Sequence, residues 1–297
     1  MIGVGKRTFK DIFFDSIIIT IVGVAALSCL LPILNTLAIS LSSKGKAAAG
    51  AVYFWPVDLT LTSYERLLSD TNFLNAFGTS TKRVLLGTSL NMLLSILMAY
   101  PLSKRTAVFR ARNVYLWLLV FTMLFSGGLI PWFLTIKTLG LLDTIWALVL
   151  PGAMNVWNTI MLMNFFRGVS SELDDAALVD GAGPLRIAFQ IFVPVSKPVI
   201  ATLTLFSAVG HWNSFFDGLI LMNKPINYPL QTYIQRLVVN TDINKIKDIE
   251  EFKRLMEISG MTFNAAKIFV SMIPILLIYP FLQKYFVKGI VLGSVKE

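Results

Sequence analysis

The sequence is poor in charge and holds a single cysteine and a single histidine. Charged residues make up 14% of its 297 residues, whereas an average soluble domain carries about 25%. The lone cysteine, Cys29, excludes an internal disulfide and a multi-cysteine metal site. His211 has no second histidine with which to share a metal ion, so we expect no metal site in this chain.

Motifs that bind nucleotide or perform catalysis are also absent from the sequence. No GxxxxGK[ST] phosphate-binding loop occurs, and the nearest string, residues 3–8, lacks the required spacing. No HExxH motif and no convincing Ser and His pairing is found within the apolar runs. We therefore expect that the chain is not an enzyme and that it binds no cofactor of its own.

Apolar residues are abundant, at 55% of the chain, and the mean hydropathy is +0.70. This composition predicts an all-α integral membrane protein rather than a soluble domain. The formal net charge is +9. In a membrane protein such a surplus is typical of Lys and Arg beside anionic lipid headgroups, so we expect contact with membrane lipid and no nucleic-acid partner.

Runs with at most one charged residue, close to the roughly 20 residues that a helix needs to cross a bilayer, recur along the chain. They predict a single transmembrane domain, residues 1–297, with six transmembrane helices. The spans lie at approximately residues 16–41, 84–103, 113–136, 144–166, 198–222 and 264–283. The first run is far longer than the apolar region of a signal peptide, so we interpret it as a retained span. Six spans place both termini on the same side of the membrane.

One polar segment, Glu172–Pro198, lies deep inside this apolar chain. A helix is predicted to begin at Ser171, which can cap it with Asp174 in the capping-box position. The early carboxylates also suit the positive end of a helix dipole. Gly183 and Pro184 are expected to end this helix after about three turns.

The predicted helix has one face of small and apolar residues. Helical spacing sets Leu173, Ala176, Ala177 and Asp180 on that face, and the small alanines would let another protein come close to the backbone. A second short helix is predicted at residues 185–193. The segment therefore has the form of a docking loop.

The order of residues in this segment is specific. It runs through Asp175, Ala176, Ala177, Asp180, Gly181, Ala182, Phe189, Ile191, Pro194 and Pro198. This order resembles the cytoplasmic coupling loop, or EAA signature, of the permeases of binding-protein-dependent ABC importers. Asp175 stands where that family usually has Glu, which keeps the carboxylate and shortens its reach.

The resemblance implies that the coupling loop, residues 171–198, docks into a cleft of an ATP-hydrolysing partner subunit. The residues that it assigns to this contact are Glu172, Leu173, Asp175, Ala176, Ala177, Asp180, Gly181 and Ala182. The implied fold is the type I ABC importer permease core. The implied partners are a second related permease, two ATPase subunits that hold the ATP and magnesium, and an extracytoplasmic solute-binding protein.

Two further stretches, residues 125–153 and 279–297, resemble the branch of these permeases that imports sugars, oligosaccharides and polysaccharides. That branch includes importers of uronic-acid polymers such as alginate. The resemblance therefore implies a carbohydrate substrate, an acidic one such as alginate among the candidates. It also implies a multi-pass protein of the bacterial cytoplasmic (inner) membrane.

The orientation of the spans follows chiefly from the coupling loop, which places both termini in the cytoplasm. Half of the 26 Lys and Arg residues fall in the segments thus assigned to the cytoplasm. The positive-inside rule gives this orientation weak support, because several of them flank the short loop at residues 104–112.

Polar residues inside spans are candidates for a substrate path, because an unpaired polar group is costly there. They are Asn155, Asn158, His211, Trp212 and Asn213. Amide groups can bind sugar hydroxyls while aromatic rings stack on the sugar's C–H face. The alternative is structural, since Asn and His also form hydrogen bonds between packed helices.

The loop before the last span contains one ordered pattern. Ile246, Ile249, Phe252 and Met256 recur at helical spacing, which predicts an amphipathic helix within residues 242–260. Its apolar stripe could contact the binding protein or the sister permease. It could equally pack on the outer loops of this chain.

Two other functions stay open at this stage. The chain could be an ABC permease for a solute other than a sugar. It could also be an ion-coupled secondary transporter, which is expected to carry buried carboxylates in its spans. Asp217 is the candidate for such a carboxylate.

Overall fold

The computed structural model describes residues 9–239 and 260–294, with side chains over residues 12–236 and 260–278, and every regular element in these ranges is helical. The α-helices are α1 (Phe9–Ser40), α2 (Lys44–Ala48), α3 (Thr62–Ser69), α4 (Thr71–Ser103), α5 (Arg112–Leu124), α6 (Leu129–Thr138), α7 (Ile145–Val149), α8 (Val156–Arg167), α9 (Ser171–Val179), α10 (Pro184–Ile187), α11 (Val193–Val195), α12 (Lys197–Asn213), α13 (Phe216–Leu221), α14 (Leu230–Val239) and α15 (Met261–Ser294). A π-helical turn, Ala188–Phe192, joins α10 to α11, and a 3-10 turn, Pro225–Asn227, precedes α14.

Three of the described helices are long and apolar enough to cross a membrane: α1, α4 and the first part of α15. Two bent pairs reach the same criterion when each is taken as one span. The helices α5 and α6 meet at 111°, and the segment from α10 to α11 meets α12 at 89°. The described part of the chain thus holds three to five candidate spans, and the count of six stays a prediction.

The second predicted span, residues 84–103, is the second half of a much longer helix. Helix α4 begins at Thr71 and runs for 33 residues through Lys82 and Arg83. The predicted span, which begins at residue 84, leaves these two cations just outside it. The helix continues because Lys82 faces outward while Arg83 is buried and paired within the protein.

The third predicted span, residues 113–136, is broken in its middle. Helix α5 ends at Leu124, and α6 begins after Gly128, whose φ of +88° lies in the left-handed region that favours glycine. Pro131 then occupies the first turn of α6, where its missing N–H costs no hydrogen bond. An apolar run without charge therefore does not imply one continuous helix.

Residues 71–239 and 273–294 form one compact unit, in which α4 is the central element. It packs most extensively against α12 and α8. A buried apolar core fills the space around these helices. Its largest members include Met92, Ile96, Tyr100, Leu102, Leu162, Met163, Phe166, Ile187, Phe192 and Leu203.

Residues 9–70 and 260–272 form the other compact unit. The end of α1 packs with α2 and α15 through Ala38, Ala47 and Ala265. Lys267, which breaks the apolar sequence of α15, is 1% exposed, and its Nζ lies 3.4 Å from Asp70 and 3.9 Å from the Phe263 ring centroid. This residue therefore faces the protein interior. The predicted helix at residues 242–260 lies almost wholly outside the described residues.

Helices α4 and α12 approach closely at a glycine. A Cβ placed on Gly87 would lie 2.5 Å from Nε2 of His211, well inside van der Waals contact. At Gly78, on the same helix, a Cβ would meet no heavy atom within 4 Å. The first glycine is thus required for packing, and the second is not.

We predict that Gly87→Ala lowers the melting temperature of the purified protein in detergent, because the added methyl overpacks the α4–α12 contact at a cost of about 1 to 3 kcal/mol. Gly78→Ala is the matched control. It should leave the melting temperature unchanged or raise it, because alanine is the better helix former by about 1 kcal/mol. Adding His211→Ala to Gly87→Ala should restore stability; failure to do so would contradict the assigned contact.

Candidate functional site

The coupling loop begins with a capped helix. The N-cap of α9 is Ser170, whose backbone is extended and whose Oγ accepts a hydrogen bond from the Glu172 N–H at 3.2 Å. The predicted cap, Ser171, is the first helical residue, so that prediction was wrong by one position. Glu172 and Asp174 do lie in the first turn, where the helix dipole favours carboxylates.

The helix ends earlier than predicted, at Val179. Gly181 has a φ of +75°, its N–H donates to the Leu178 carbonyl at 3.0 Å, and the Ala182 N–H donates to the Ala177 carbonyl at 2.9 Å. These bonds form a Schellman motif, which closes a helix on a left-handed residue. Asp180 is thus the C-cap rather than a residue of the helix face.

The glycine and proline predicted to end α9 instead start the next helix. Gly183 is the N-cap of α10, and Pro184 occupies its first turn. Proline is well suited there because its fixed φ is already helical and its missing N–H would have no partner. The segment is therefore two helices joined by a turn of only a few residues.

The two sides of α9 differ sharply in exposure. Ala177 is 7% exposed and packs into the protein core, whereas Leu173, Leu178 and Val179 are 44%, 56% and 87% exposed. The expectation that Ala177 presents a close surface to another protein was wrong, since it faces its own chain. The outward apolar surface of α9 consists of those three larger side chains and of Ala176, which is also exposed.

The segment that follows α9 also exposes apolar side chains. Leu185 is 65% exposed and Phe189 is 38% exposed. Together with Leu173, Leu178 and Val179 they form what we call the docking patch. Glu172, Asp175 and Asp180 are also exposed around it. Exposed apolar side chains rimmed by charge are typical of a protein interaction site.

One cation ties α9 to the end of α4. Lys104, the residue after α4, places Nζ 2.5 Å from Oδ2 of Asp174. The same Nζ lies 4.2 Å from the ring centroid of Tyr100 and 4.5 Å from that of Phe192. The two rings pack edge to face at 5.1 Å. We call this arrangement the Lys104 clamp, because it joins α4, α9 and the π-helical turn at a single charge.

A cavity of about 380 Å³ lies in the unit built around α4. Its walls combine aromatic, amide, hydroxyl and charged side chains with glycine and proline backbone. The lining residues are Arg83, Asn91, Trp132, Ala147, Leu148, Pro151, Gly152, Asn155, Phe206, Ser207, Gly210, His211, Ser214 and Asp217. Cavities of this size with a few convergent polar groups are typical of small-ligand sites.

A buried ion pair forms part of the cavity wall. Arg83 of α4 is 3% exposed and pairs through both terminal nitrogens with Asp217 of α13, which is 19% exposed. Nη1 of Arg83 also donates to the Ser214 carbonyl at 3.3 Å. Oδ1 of Asp217 accepts further hydrogen bonds from Ser214 Oγ and from the Gly218 N–H, each at 2.9 Å.

Amide side chains form a second polar group beside the cavity. Asn91 accepts a hydrogen bond from Asn158 Nδ2 at 2.9 Å and reaches the carbonyls of Gly152 and Ala153 at 3.4 Å. Asn155 caps α8 by accepting from the Asn158 N–H at 3.0 Å. These bonds fix the turn that carries α7 into α8.

The structure separates the five residues predicted for a substrate path. Asn155 and His211 line the cavity. Asn158 is 1% exposed and engaged by Asn91, and Trp212 is buried with its ring 5.5 Å from that of Phe77. Asn213, the last residue of α12, is exposed and does not line the cavity.

Sequence reasoning missed four polar residues of the cavity wall. Arg83 lies just before the predicted span 84–103, and Asn91, Ser207 and Ser214 were passed over within predicted spans. A signal for Arg83 was available, because Asp217 was noted as an isolated carboxylate near a span end. A carboxylate that is buried in a membrane protein needs a cationic partner.

Comparison with protein families gives one match that covers most of the chain. Residues 91–292 match the family described as "Binding-protein-dependent transport system inner membrane component". This range includes the coupling loop, most of the cavity wall and the part of α4 that carries Asn91.

Two curated proteins of Bacillus subtilis (strain 168) are similar along nearly their whole length. Protein LplC is 39% identical over 92% of this chain and 91% of its own. The polygalacturonan/rhamnogalacturonan transport system permease protein YtcP is 38% identical over 97% of this chain and 99% of its own.

A solved structure shares the fold. A chain from a bacterial ABC transporter involved in the import of the acidic polysaccharide alginate superposes with a TM-score of 0.85. It is 31% identical, and the match covers 95% of this chain and all of that one.

We predict that Lys104→Met loosens α9. The loss of the charge removes one ion pair and two cation–π contacts, worth about 1 to 2 kcal/mol together. Amide hydrogen exchange of α9 should then be about five- to thirtyfold faster. Arg105→Met, an exposed neighbour, should leave exchange unchanged. Equal exchange in both variants would contradict the clamp.

Proposed function

Because this chain belongs to the family of binding-protein-dependent transport system inner membrane components, we propose that it carries an oligosaccharide or polysaccharide into the cell as one half of an importer's membrane path. The chain is a sugar ABC importer permease, with the all-helical fold of that family. The family is a transport component. We assign ATP hydrolysis, with its ATP and magnesium, to two partner subunits.

The docking patch is the observation that carries the coupling part of this proposal. Leu173, Leu178 and Val179 leave the surface of α9 apolar and exposed, with Glu172 and Asp175 beside them. An ATPase cleft that covers these side chains would bury their apolar area and pair with their charges. Closure of the ATPases would then push α9 and, through the Lys104 clamp, the end of α4.

The substrate proposal is supported by the cavity wall and by two relatives. Trp132 and Phe206 offer aromatic faces, while Asn91, Asn155 and Ser207 offer hydrogen-bonding groups. One relative's name refers to polygalacturonan and rhamnogalacturonan, and the similar solved structure concerns alginate. Both refer to polymers that contain uronic acid, so we propose an acidic oligosaccharide or polysaccharide as the solute.

The remaining architecture follows the same proposal. We infer six spans, in which α5–α6, α7–α8 and α12–α13 each form one span and complete the count begun by α1, α4 and α15. Both termini then lie in the cytoplasm of a bacterium. A second related permease would form the other half of the path. An extracytoplasmic binding protein would deliver the solute, as the family description implies.

An ion-coupled secondary transporter is disfavoured by one observation. Asp217, its candidate carboxylate, is held by Arg83 through both terminal nitrogens. While this carboxylate is paired with the guanidinium, its charge is already neutralised, so it would bind a transported cation weakly. The choice of solutes below also includes a non-sugar solute as a control.

We predict that, in membranes that contain the permease without its ATPase partners, a cysteine at Val179, which is 87% exposed, reacts with a membrane-impermeant maleimide only from the cytoplasmic side. Cys29 must first be replaced by alanine, because it is exposed. Trp55→Cys, at a position 83% exposed in the proposed outer loop, is the matched control and should react from outside. Labelling of position 179 from outside would overturn the orientation and the docking role together.

We further predict that acidic oligosaccharides stimulate ATP hydrolysis by the complete importer in proteoliposomes. The panel should contain uronate oligomers, neutral oligomers of equal length and a non-sugar solute such as an amino acid. Stimulation by uronate oligomers supports the proposal, and stimulation by neutral sugars alone restricts it to neutral carbohydrate. Stimulation by the amino acid alone would contradict carbohydrate import.

A further inference from the structure

We propose that Arg83 recognises the carboxylate of an acidic sugar and that Asp217 is its resident counter-ion, which the sugar's carboxylate replaces during passage. This inference rests on the proposed function and adds to it a residue that selects the charge of the solute. Its basis is the geometry of the ion pair in the cavity wall.

The guanidinium of Arg83 already binds a carboxylate in the way that a uronate would require. Nη1 and Nη2 both contact the Asp217 carboxylate, with Nη1 at 3.1 Å from Oδ1. Arginine presents a planar fork that matches the two oxygens of a carboxylate, which lysine cannot do. The carboxyl group of a uronic acid has the same shape and charge as the Asp side chain.

Asp217 can release Arg83 without losing all of its hydrogen bonds. Its Oδ1 also accepts from Ser214 Oγ and from the Gly218 N–H, both at 2.9 Å. At 19% exposure it is also more accessible than Arg83, which is 3% exposed. The carboxylate would therefore stay solvated by two donors while the guanidinium binds the incoming sugar.

The cavity also contains buried polar atoms that lack partners within the described residues. They are Nε of Arg83 and Oγ of Ser207, and both residues line the cavity. A buried polar atom without a partner destabilises the protein, because it has lost its hydrogen bonds to water. A sugar supplies several acceptor oxygens, so its entry would satisfy groups that the protein leaves unsatisfied.

The counter-ion also explains how an anion could leave the site. In the described part of the chain, Arg83 and Asp217 are the only Asp, Glu, Lys or Arg side chains that line the cavity, so its net charge from these groups is zero. An unpaired buried guanidinium would hold a uronate tightly, because charges attract strongly in a low dielectric. Return of Asp217 to Arg83 would displace the solute and let it move on.

The competing interpretation is purely structural. The ion pair joins α4 to the break between α12 and α13, and it would stabilise that junction whatever the solute. A structural pair should affect acidic and neutral sugars alike. Charge exchange should affect them differently, and this difference makes the two interpretations separable.

The test uses the assembled permease and ATPase complex in detergent, without the binding protein, and measures its melting temperature during titration with sugar. One ligand is a uronate oligosaccharide and the other is its carboxyl-reduced, neutral form of equal length. The variants are Asp217→Asn, which frees Arg83, and the neutral pair Arg83→Gln with Asp217→Asn. Lys82→Gln, an exposed cation on the same helix, is the control.

For Asp217→Asn we expect stabilisation by the uronate at about ten- to hundredfold lower concentration than for the unmodified complex, since a charged hydrogen bond is worth about 1.5 to 3 kcal/mol. The neutral pair should lose the preference for the uronate, and Lys82→Gln should keep it. Equal responses of Asp217→Asn to both sugars would overturn the exchange, as would a retained preference in the neutral pair.

The outcomes also separate this inference from the proposed function. If uronate oligomers stimulate ATP hydrolysis by the complete importer while Asp217→Asn shows no preference, import of acidic sugar stands and the role of Arg83 falls. If neither sugar stimulates hydrolysis or stabilises any form of the complex, the proposed substrate class falls, and this inference falls with it.

Discussion

Two ion pairs hold helix α4, one in its middle and one at its end, and the rest of the larger unit is arranged around this helix. Lys104 at its end binds Asp174 of α9, and Arg83 in its middle binds Asp217. The two cations are 21 positions apart, about 31 Å along an α-helix. A displacement of α9 would therefore reach the cavity through one continuous helix rather than through a series of loops.

The scarcity of charge makes these pairs decisive for the fold. Breaking a buried ion pair by removing one partner costs about 3 to 5 kcal/mol, because the other charge is left uncompensated. Arg83 thus fixes where α12 must end and α13 begin, since Ser214 and Asp217 both bind it there. Because Asp217 neutralises it, the Arg83 guanidinium can be buried among the apolar side chains of this unit.

Local patterns predicted the coupling loop well and its boundaries poorly. The carboxylates of the first turn and the two-helix form of the segment could be predicted from the sequence. The ends could not, because Gly181 and the Gly183–Pro184 pair are both stop signals. Two hydrogen bonds that close a Schellman motif decide in favour of Gly181, and only the folded turn reveals them.

Only some residues of the cavity wall could be predicted, because hydrogen-bond partners that are distant in sequence decide the rest. Asn155 and His211 stand out as polar residues within apolar runs. Arg83 instead marks the edge of a predicted span, and its pairing is not visible in the sequence because its partner lies 134 positions away. Whether a polar residue belongs to the scaffold or to a ligand site depends on where its partners are. Asn158 finds its partners within the chain, while Ser207 Oγ and Arg83 Nε find none among the described residues. A solute rich in hydroxyl and carboxylate oxygens would supply partners for both atoms, which is why we propose that this part of the wall contacts the solute.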